Sequence, residues 1–371
     1  MAAPSIDPAA GDDGSGDGTI GNTYKTTQFA LDNTTRDATN GDRFNVKAGS
    51  ADVLSAALSL TTYGTPTLAA PVMFQGYTAA SGDAGIGDID GGGNAVFNGS
   101  TKNGVHFIDM HLHNCGANQI IRANEDCILE NCECDTTTTT AFAVHLGIRG
   151  IMIGNHIHDF TGGGLVLSDG VIGWNYVVKS HATDIGDALR VSTTGLAIGN
   201  IVELTASGTK ASGIMLSANG GKTIGNSIWA NAGDGFGIQS DGPAAGCSLM
   251  NNLVEGFSAT GGVGIETGIS FQTYLIHNAV FDCDTAYNIQ NDEFGRDLDN
   301  ETLSETPFTD QAGGDYTPVD TGNVKDGAYR TGTYRGLSTT SHFRDKGAVE
   351  PTAAAAGGGG GFFRSGIPFG F

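Results

Sequence analysis

The chain has 371 residues, 59 of them glycine, and only 16% are charged; no glycine recurs strictly at every third position, which excludes a collagen-like triple helix. A hydrophobic content of 39% and a mean hydropathy of −0.10 can build a sizeable core, which excludes a chain disordered throughout. Lys and Arg total 18 against 40 Asp and Glu, a net charge of −22; such a surface repels phosphate backbones and anionic lipid heads, so nucleic acid and membranes are set aside as partners.

Residues 1–24 are small, acidic and glycine-rich and predict a flexible acidic arm. They lack the basic segment and apolar stretch of a secretory signal, so the chain is expected to stay in the compartment that makes it. Next come the stretches Thr26–Asp32 (TTQFALD), Gly41–Gly49 (GDRFNVKAG) and Ile89–Gly93 (IDGGG). The cysteines Cys115, Cys127, Cys132, Cys134, Cys247 and Cys283 form no regular framework and read as reduced and mostly buried.

From here the sequence repeats. Short apolar stretches end in Asn131, Asn155, Asn175, Asn200, Asn226, Asn252 and Asn278, at spacings of 24, 20, 25, 26, 26 and 26 residues. A second track of alternating apolar residues begins at Val144, Leu165, Leu189, Ile214, Phe236, Val263 and Tyr287, with spacings of 21, 24, 25, 22, 27 and 24. Two landmarks thus share one period. Each unit alternates with a period of two and is punctuated by Gly, Asn, Asp and Ser, so it holds short strands and no helix. One unit cannot bury its own apolar side chains, but stacked units can, with strands pairing at about 4.8 Å. The expectation is an all-β chain: a parallel β-helix over residues 25–292 whose turn asparagines form a hydrogen-bonded ladder.

On these motifs, with Phe308–Gly322 (FTD to GDYTPVDTG) and Asp345–Glu350 (DKGAVE) as a closing segment, the chain resembles the right-handed parallel β-helix, or pectate-lyase-like, superfamily. The resemblance implies a solenoid that opens with an N-terminal cap, a short helix at Thr26–Asp32, and a first strand at Gly41–Gly49, turns early at Ile89–Gly93, and closes with an irregular C-terminal segment, here residues 293–350. That superfamily includes lyases, hydrolases, epimerases, viral tailspikes and non-enzymatic surface proteins, so it implies a fold and not an activity.

Outward positions of the second track are expected to be His145, Val166, Arg190, Met215, Gly237, Gly264 and Asn288, a face poor in acids. The best catalytic candidates are His181, Asp184, Asp187 and Arg190 at a turn entering that face, with Asp159 and Asp234 on adjacent coils. Two carboxylates there could act as general acid and base on a glycan, hold calcium, or merely bond to turn N–H groups. Few basic residues line the repeats, which argues against a polyanionic substrate and leaves neutral glycans.

Aligned on the asparagines, Cys132 and Cys134 occupy the places of His156 and His158, which would converge two thiols and two imidazoles on a tetrahedral zinc. That register buries Glu133. The preferred alternative is a one-residue slip that turns both cysteines inward and Glu133 to water. His106, His111 and His113 add ligand types nearby without a motif. Tyr176, Val178, Trp229 and Phe281, with Ile201 and Leu253 beside them, form an apolar outer stripe. It reads as an association surface, for example in a homotrimer, or as a strip covered by the chain's own C-terminal segment.

Residues 351–371 combine a glycine linker with Phe362, Phe363, Ile367, Phe369 and Phe371, and predict a tethered docking tail. Taken together, the sequence favours a non-enzymatic structural and interaction protein with no cofactor. The concrete expectation is a virion component, a phage head-decoration or fibre protein assembled in a host cytoplasm and held to a capsid by its tails. A polysaccharide-degrading enzyme and a glycan-binding module without turnover are the alternatives.

Overall fold

The computed structural model describes residues 3–310, apart from 81–82, 84, 181–185, 206–210, 218–219, 241–245, 269–272, 291–295 and 299, and the strand segments 315–318, 333–334 and 337–338. Among these residues, three parallel sheets of twelve, eleven and nine strands wrap around one core. The chain is a parallel β-solenoid, the architecture implied by the resemblance. One coil illustrates the plan. Ile128–Glu130 lies in the first sheet, Glu133–Cys134 in the second and Phe142–Leu146 in the third, and the chain returns to the first sheet at Gly150–Ile153.

Register puts like on like inside. Leu129, Met152, Ile172 and Ala197 stack in the first sheet, and Cys134, Ile157, Val177 and Val202 in the second. In the third, Val144, Leu165, Leu189, Ile214 and Ile238 do the same. All are buried. The early coils are filled by aromatic rings, with Phe44, Phe74 and Phe107 stacked at centroid distances of 5.7 and 5.0 Å.

From Asp109 on, the corner between the first and second sheets keeps one backbone geometry among the described residues. A residue with φ between 51° and 67° occupies it at Asp109, Asn131, Gly154, Trp174, Gly199, Gly225, Asn251 and His277. The next residue points inward. From Asn155 through Asn175, Asn200, Asn226, Asn252 and Asn278 to Asn300, each Oδ1 beyond the first accepts both the backbone N–H and the Nδ2 of the asparagine one coil earlier. Asn131 is not in this column. It is the left-handed corner residue, bonded to Asp109, and Cys132 takes the ladder position with its N–H on Asn155 Oδ1 at 2.9 Å.

Both ends differ from expectation. The segment expected as a flexible arm is folded onto the first coil: Ser5–Ile6 pairs with Asn45–Val46, and Ile6 is fully buried. Its aspartates satisfy their own turns, Asp12 accepting from Gly14 N–H and Asp17 from Thr19 N–H. The helix spans Thr27–Asn33, with Thr26 as its N-cap and Asp52 accepting the Thr27 N–H at 2.6 Å. At the other end the parallel ladder continues beyond 292 through Arg296–Leu298 and Glu301–Thr302, because Asn300 supplies one more ladder amide. Phe308–Asp310 and Asp315–Pro318 then pair antiparallel.

Candidate functional site

Two outer faces carry the chemistry. On the third sheet, His181 and Asp184 lie outside the described residues. Asp187 is 3% exposed and faces Arg190, whose Nε lies 2.7 Å from Asp187 Oδ2. Burial pushes the Asp187 carboxyl up, and the neighbouring guanidinium opposes that shift. Arg190 in turn sits 5.0 Å over the Phe142 ring. Asp187 is therefore the buried half of an ion pair that orients Arg190, and it does not present its carboxylate to the face. Asp159 is far from it in role, being bonded to His158 on the second sheet, and one Asp234 oxygen is buried without a hydrogen bond.

The register of the third sheet is Arg122, His145, Val166, Arg190, Met215, Gln239, Glu266 and Asn288 in line. Gln239 and Glu266 thus stand where Gly237 and Gly264 were expected. Those glycines face inward instead: a Cβ on Gly237 would lie 2.2 Å from Val254 Cγ1, and one on Gly264 2.4 Å from Val280 Cγ1. The absent side chains let the third sheet close on the second. Gln239 accepts from Ser212 Oγ at 3.1 Å and donates to Glu266 at 2.7 Å. Asn288 and Gln290 donate to the other Glu266 oxygen at 2.9 and 3.1 Å.

The second sheet bears a column of acids and imidazoles. Asp88 pairs with His111, which pairs with Glu133, which pairs with His156, while Leu112, Cys134 and Ile157 point inward between them. Cys132 and Cys134 are buried, so they share no ion with His156 and His158, and Glu133 faces outward. The slipped register is the observed one. Its reason is the corner at Asn131, which places Cys132 in the inward ladder position.

His111 contacts two carboxylates, Asp135 at 3.0 Å and Asp88 at 3.5 Å, and His113 contacts Asp88 at 2.9 Å. His158 lies 3.0 Å from Glu133, 2.9 Å from Asp159 and 3.7 Å from Asp135. Asp135 and Asp88 push His111 up to about 10. Burial raises Asp88 and Asp135, but their bonds to His111 outweigh it and leave both below the ordinary carboxylate range. Burial also lowers His158, yet Glu133 and Asp159 leave it raised, while burial with His158 beside it keeps His156 low. The His111 and His113 rings stack at 4.3 Å, and His156 stacks on Tyr176 at 5.1 Å.

Further along this sheet the apolar stripe is covered by the chain itself. Leu253, Ala279 and Phe308 form a buried cluster against which Tyr176, Ile201, Trp229 and Leu303 pack. Val178 and Phe281 are half-buried. The stripe is thus an internal seam and gives no support to a trimer interface. Residues Phe362, Phe363, Ile367, Phe369 and Phe371 lie outside the described residues.

Reading the sequence coil by coil missed Asp88, Glu133 and Asp135 as partners of the histidines. The signal was present in MHLH at Met110–His113, ECD at Glu133–Asp135 and HIH at His156–His158, once the register is set by inward Leu112, Cys134 and Ile157.

No protein-family model matches the chain, and no curated protein sequence matches it. Among solved structures, the complex of XylC with xylose aligns over 82% of this chain and 87% of its own, at 9% identity and a TM-score of 0.46. A GH136 lacto-N-biosidase from Eubacterium ramulus aligns over 81% of this chain and 67% of its own, at 11% identity and a TM-score of 0.33. Such loose superpositions assign no residue and no ligand to this chain.

Proposed function

We propose that this protein is a rigid binding solenoid without catalytic turnover, and that it takes a neutral glycan along the outer face of the third sheet. The row Gln239, Glu266 and Asn288, with Gln290 just past the end of its strand, carries this reading. Amide side chains both donate and accept, as sugar hydroxyls do, and a strand-borne row is pre-organised and loses little entropy on binding. The overall charge of −22 favours neutral over acidic polymers. Asp187, tied to Arg190, is a poor general acid for a polymer on that face.

The test is a panel of neutral and acidic oligosaccharides assayed for both binding and cleavage. Binding of a neutral oligosaccharide, weakened about tenfold or more in Glu266→Ala and without new reducing ends, is expected. Cleavage that disappears in Asp187→Ala would overturn the non-catalytic reading, and absence of any glycan binding would overturn the glycan. The aromatic composition of residues 362–371 supports attachment of the rod to a larger assembly such as a phage capsid. Deleting residues 357–371 and following incorporation into the parent particle tests that attachment, which unchanged incorporation would refute.

A further inference from the structure

The outer face of the second sheet carries one arrangement twice, two coils apart. In each case a carboxylate on one strand is followed, on the next, by a histidine in register and a second histidine two residues on: Asp88 with His111 and His113, then Glu133 with His156 and His158. The atoms used also correspond. Asp88 Oδ1 lies 3.5 Å from His111 Nδ1 and 2.9 Å from His113 Nε2. Glu133 Oε1 lies 3.9 Å from His156 Nδ1 and 3.0 Å from His158 Nε2. Within each set the ligand atoms lie within 4.8 Å of one another. Tetrahedral ligands bound at about 2.0–2.1 Å stand about 3.3 Å apart, so small side-chain rotations bring either set onto one ion.

A second relationship recurs with it. In each set one histidine has its far nitrogen against another carboxylate: His111 Nε2 on Asp135 at 3.0 Å, and His158 Nδ1 on Asp159 at 2.9 Å. A carboxylate behind an imidazole fixes the ring and its tautomer and strengthens the nitrogen that faces the metal. Isolated surface ion pairs need no such duplication. We propose that Asp88, His111 and His113, and separately Glu133, His156 and His158, are twin binding sites for borderline divalent ions of the zinc class, with Asp135 and Asp159 as the orienting carboxylates.

The ligand set decides the class of ion. Two imidazoles with one carboxylate suit zinc and its neighbours, whereas calcium and magnesium take oxygen ligands. The remaining coordination positions open outward from the sheet and are filled by water. The sites lie two strand spacings apart, roughly 10 Å, so each holds its own ion rather than sharing one. The grouping of His111, Glu133 and Asp135 borrows ligands from both sets and competes with them. Without an ion the same residues form a ladder of carboxylate–imidazole hydrogen bonds, which a bound ion would replace.

The full-length protein, stripped with a chelator and dialysed against zinc or calcium chloride, provides the test by metal analysis. About two zinc ions per chain and no calcium are expected, falling to about one in His113→Ala or His158→Ala and to none in the double variant. These side chains point out of the sheet and are partly exposed, so circular dichroism and the melting temperature should be unchanged. Cobalt in place of zinc should give visible bands of a nitrogen–oxygen site with no thiolate charge-transfer band. Failure to retain zinc, equal retention by the double variant, or a thiolate band would each overturn the proposal. Should a variant not fold, wild-type protein decides: zinc should shield His113 and His158 from diethyl pyrocarbonate, and equal modification with and without zinc refutes the sites.

Discussion

Asn226 Oδ1 accepts two hydrogen bonds from Asn200, one from its backbone N–H and one from its Nδ2, each 2.9 Å long. Asn200 Nδ2 also donates to Ile172 O at 2.9 Å, and Asn200 Oδ1 accepts the Asn175 N–H at 3.1 Å. All of this lies out of reach of water, since the three asparagines are 1% exposed or less. Asn200→Ala strands the Asn175 N–H and takes one of its donors from the Ile172 carbonyl, so a loss of about 3 kcal/mol in urea unfolding is expected. Asn200→Asp should lose more, because a carboxylate oxygen replaces the donor facing Ile172 O. A ladder that contributes nothing would leave both variants at wild-type stability.

Glu255 makes the closing seam sensitive to pH. It stands in register between Trp229 and Phe281, is 4% exposed, and accepts from Thr306 Oγ1 at 2.9 Å. Burial pushes its carboxyl up to about 7, against the Thr306 bond, with Asp282 adding to the rise. A raised carboxyl favours the protonated folded form. Its stabilising contribution is full below the unfolded value of 4.5 and is lost as pH rises through about 7. Glu255→Gln, which imitates the protonated side chain, should match wild type near pH 4 and exceed it above pH 7, by up to about 3 kcal/mol. Melting curves of both proteins across this range check the sign; a constant difference would rule out the linkage.

Phe308 should act as the lid of the apolar seam. It is 1% exposed and packs with Leu253 and Ala279 among Tyr176, Ile201 and Trp229. Phe308→Ala is expected to cost about 3 kcal/mol locally and to uncover the stripe. Light scattering should then report a larger particle than wild type, with tryptophan emission shifted to the red. An unchanged mass and spectrum would mean that other residues close the seam.

The thiols should be silent in the folded protein. All six cysteines are free, five are buried and Cys283 is half-buried. Burial pushes Cys115 and Cys283 up to about 12 and Cys127 to about 11, and raises Cys132, Cys134 and Cys247 as well. Thiolate is the reactive form, so a disulfide reagent at pH 8 should label almost nothing until denaturant is added, and then all six. Rapid labelling of the native protein would show that the coils open locally.

The solenoid was legible because two physical demands repeat with the same period. Val177, Val202, Ile228 and Val254 must face inward on successive coils, and an amide such as Asn226 follows each corner from Gly154 onward. Register was legible at Cys132 and Cys134, where burying Glu133 would be costly, but not at Asn131, which was placed in the ladder although it differs from Cys132 by one position, and one position turns a strand over. The same ambiguity hid the histidine column, whose ligands come from coils more than twenty residues apart and meet only when Leu112, Cys134 and Ile157 are set inward together. Composition also misled at the start of the chain. Asp12, Asp13 and Asp17 resemble a solvated arm, yet they accept local N–H groups while Ile6 fills the core.

The left-handed corner has a further consequence. Trp174 and Gly199 turn the chain identically, and the residues after them, Asn175 and Asn200, make interchangeable bonds to whatever amide comes next. Excising one repeat, residues 176–200, would therefore be expected to bring Asn175 against Asn226 through the same bonds, with the next corner at Gly225. Copy number sets the length of this protein, which makes it a ruler that can be cut or extended one graduation at a time.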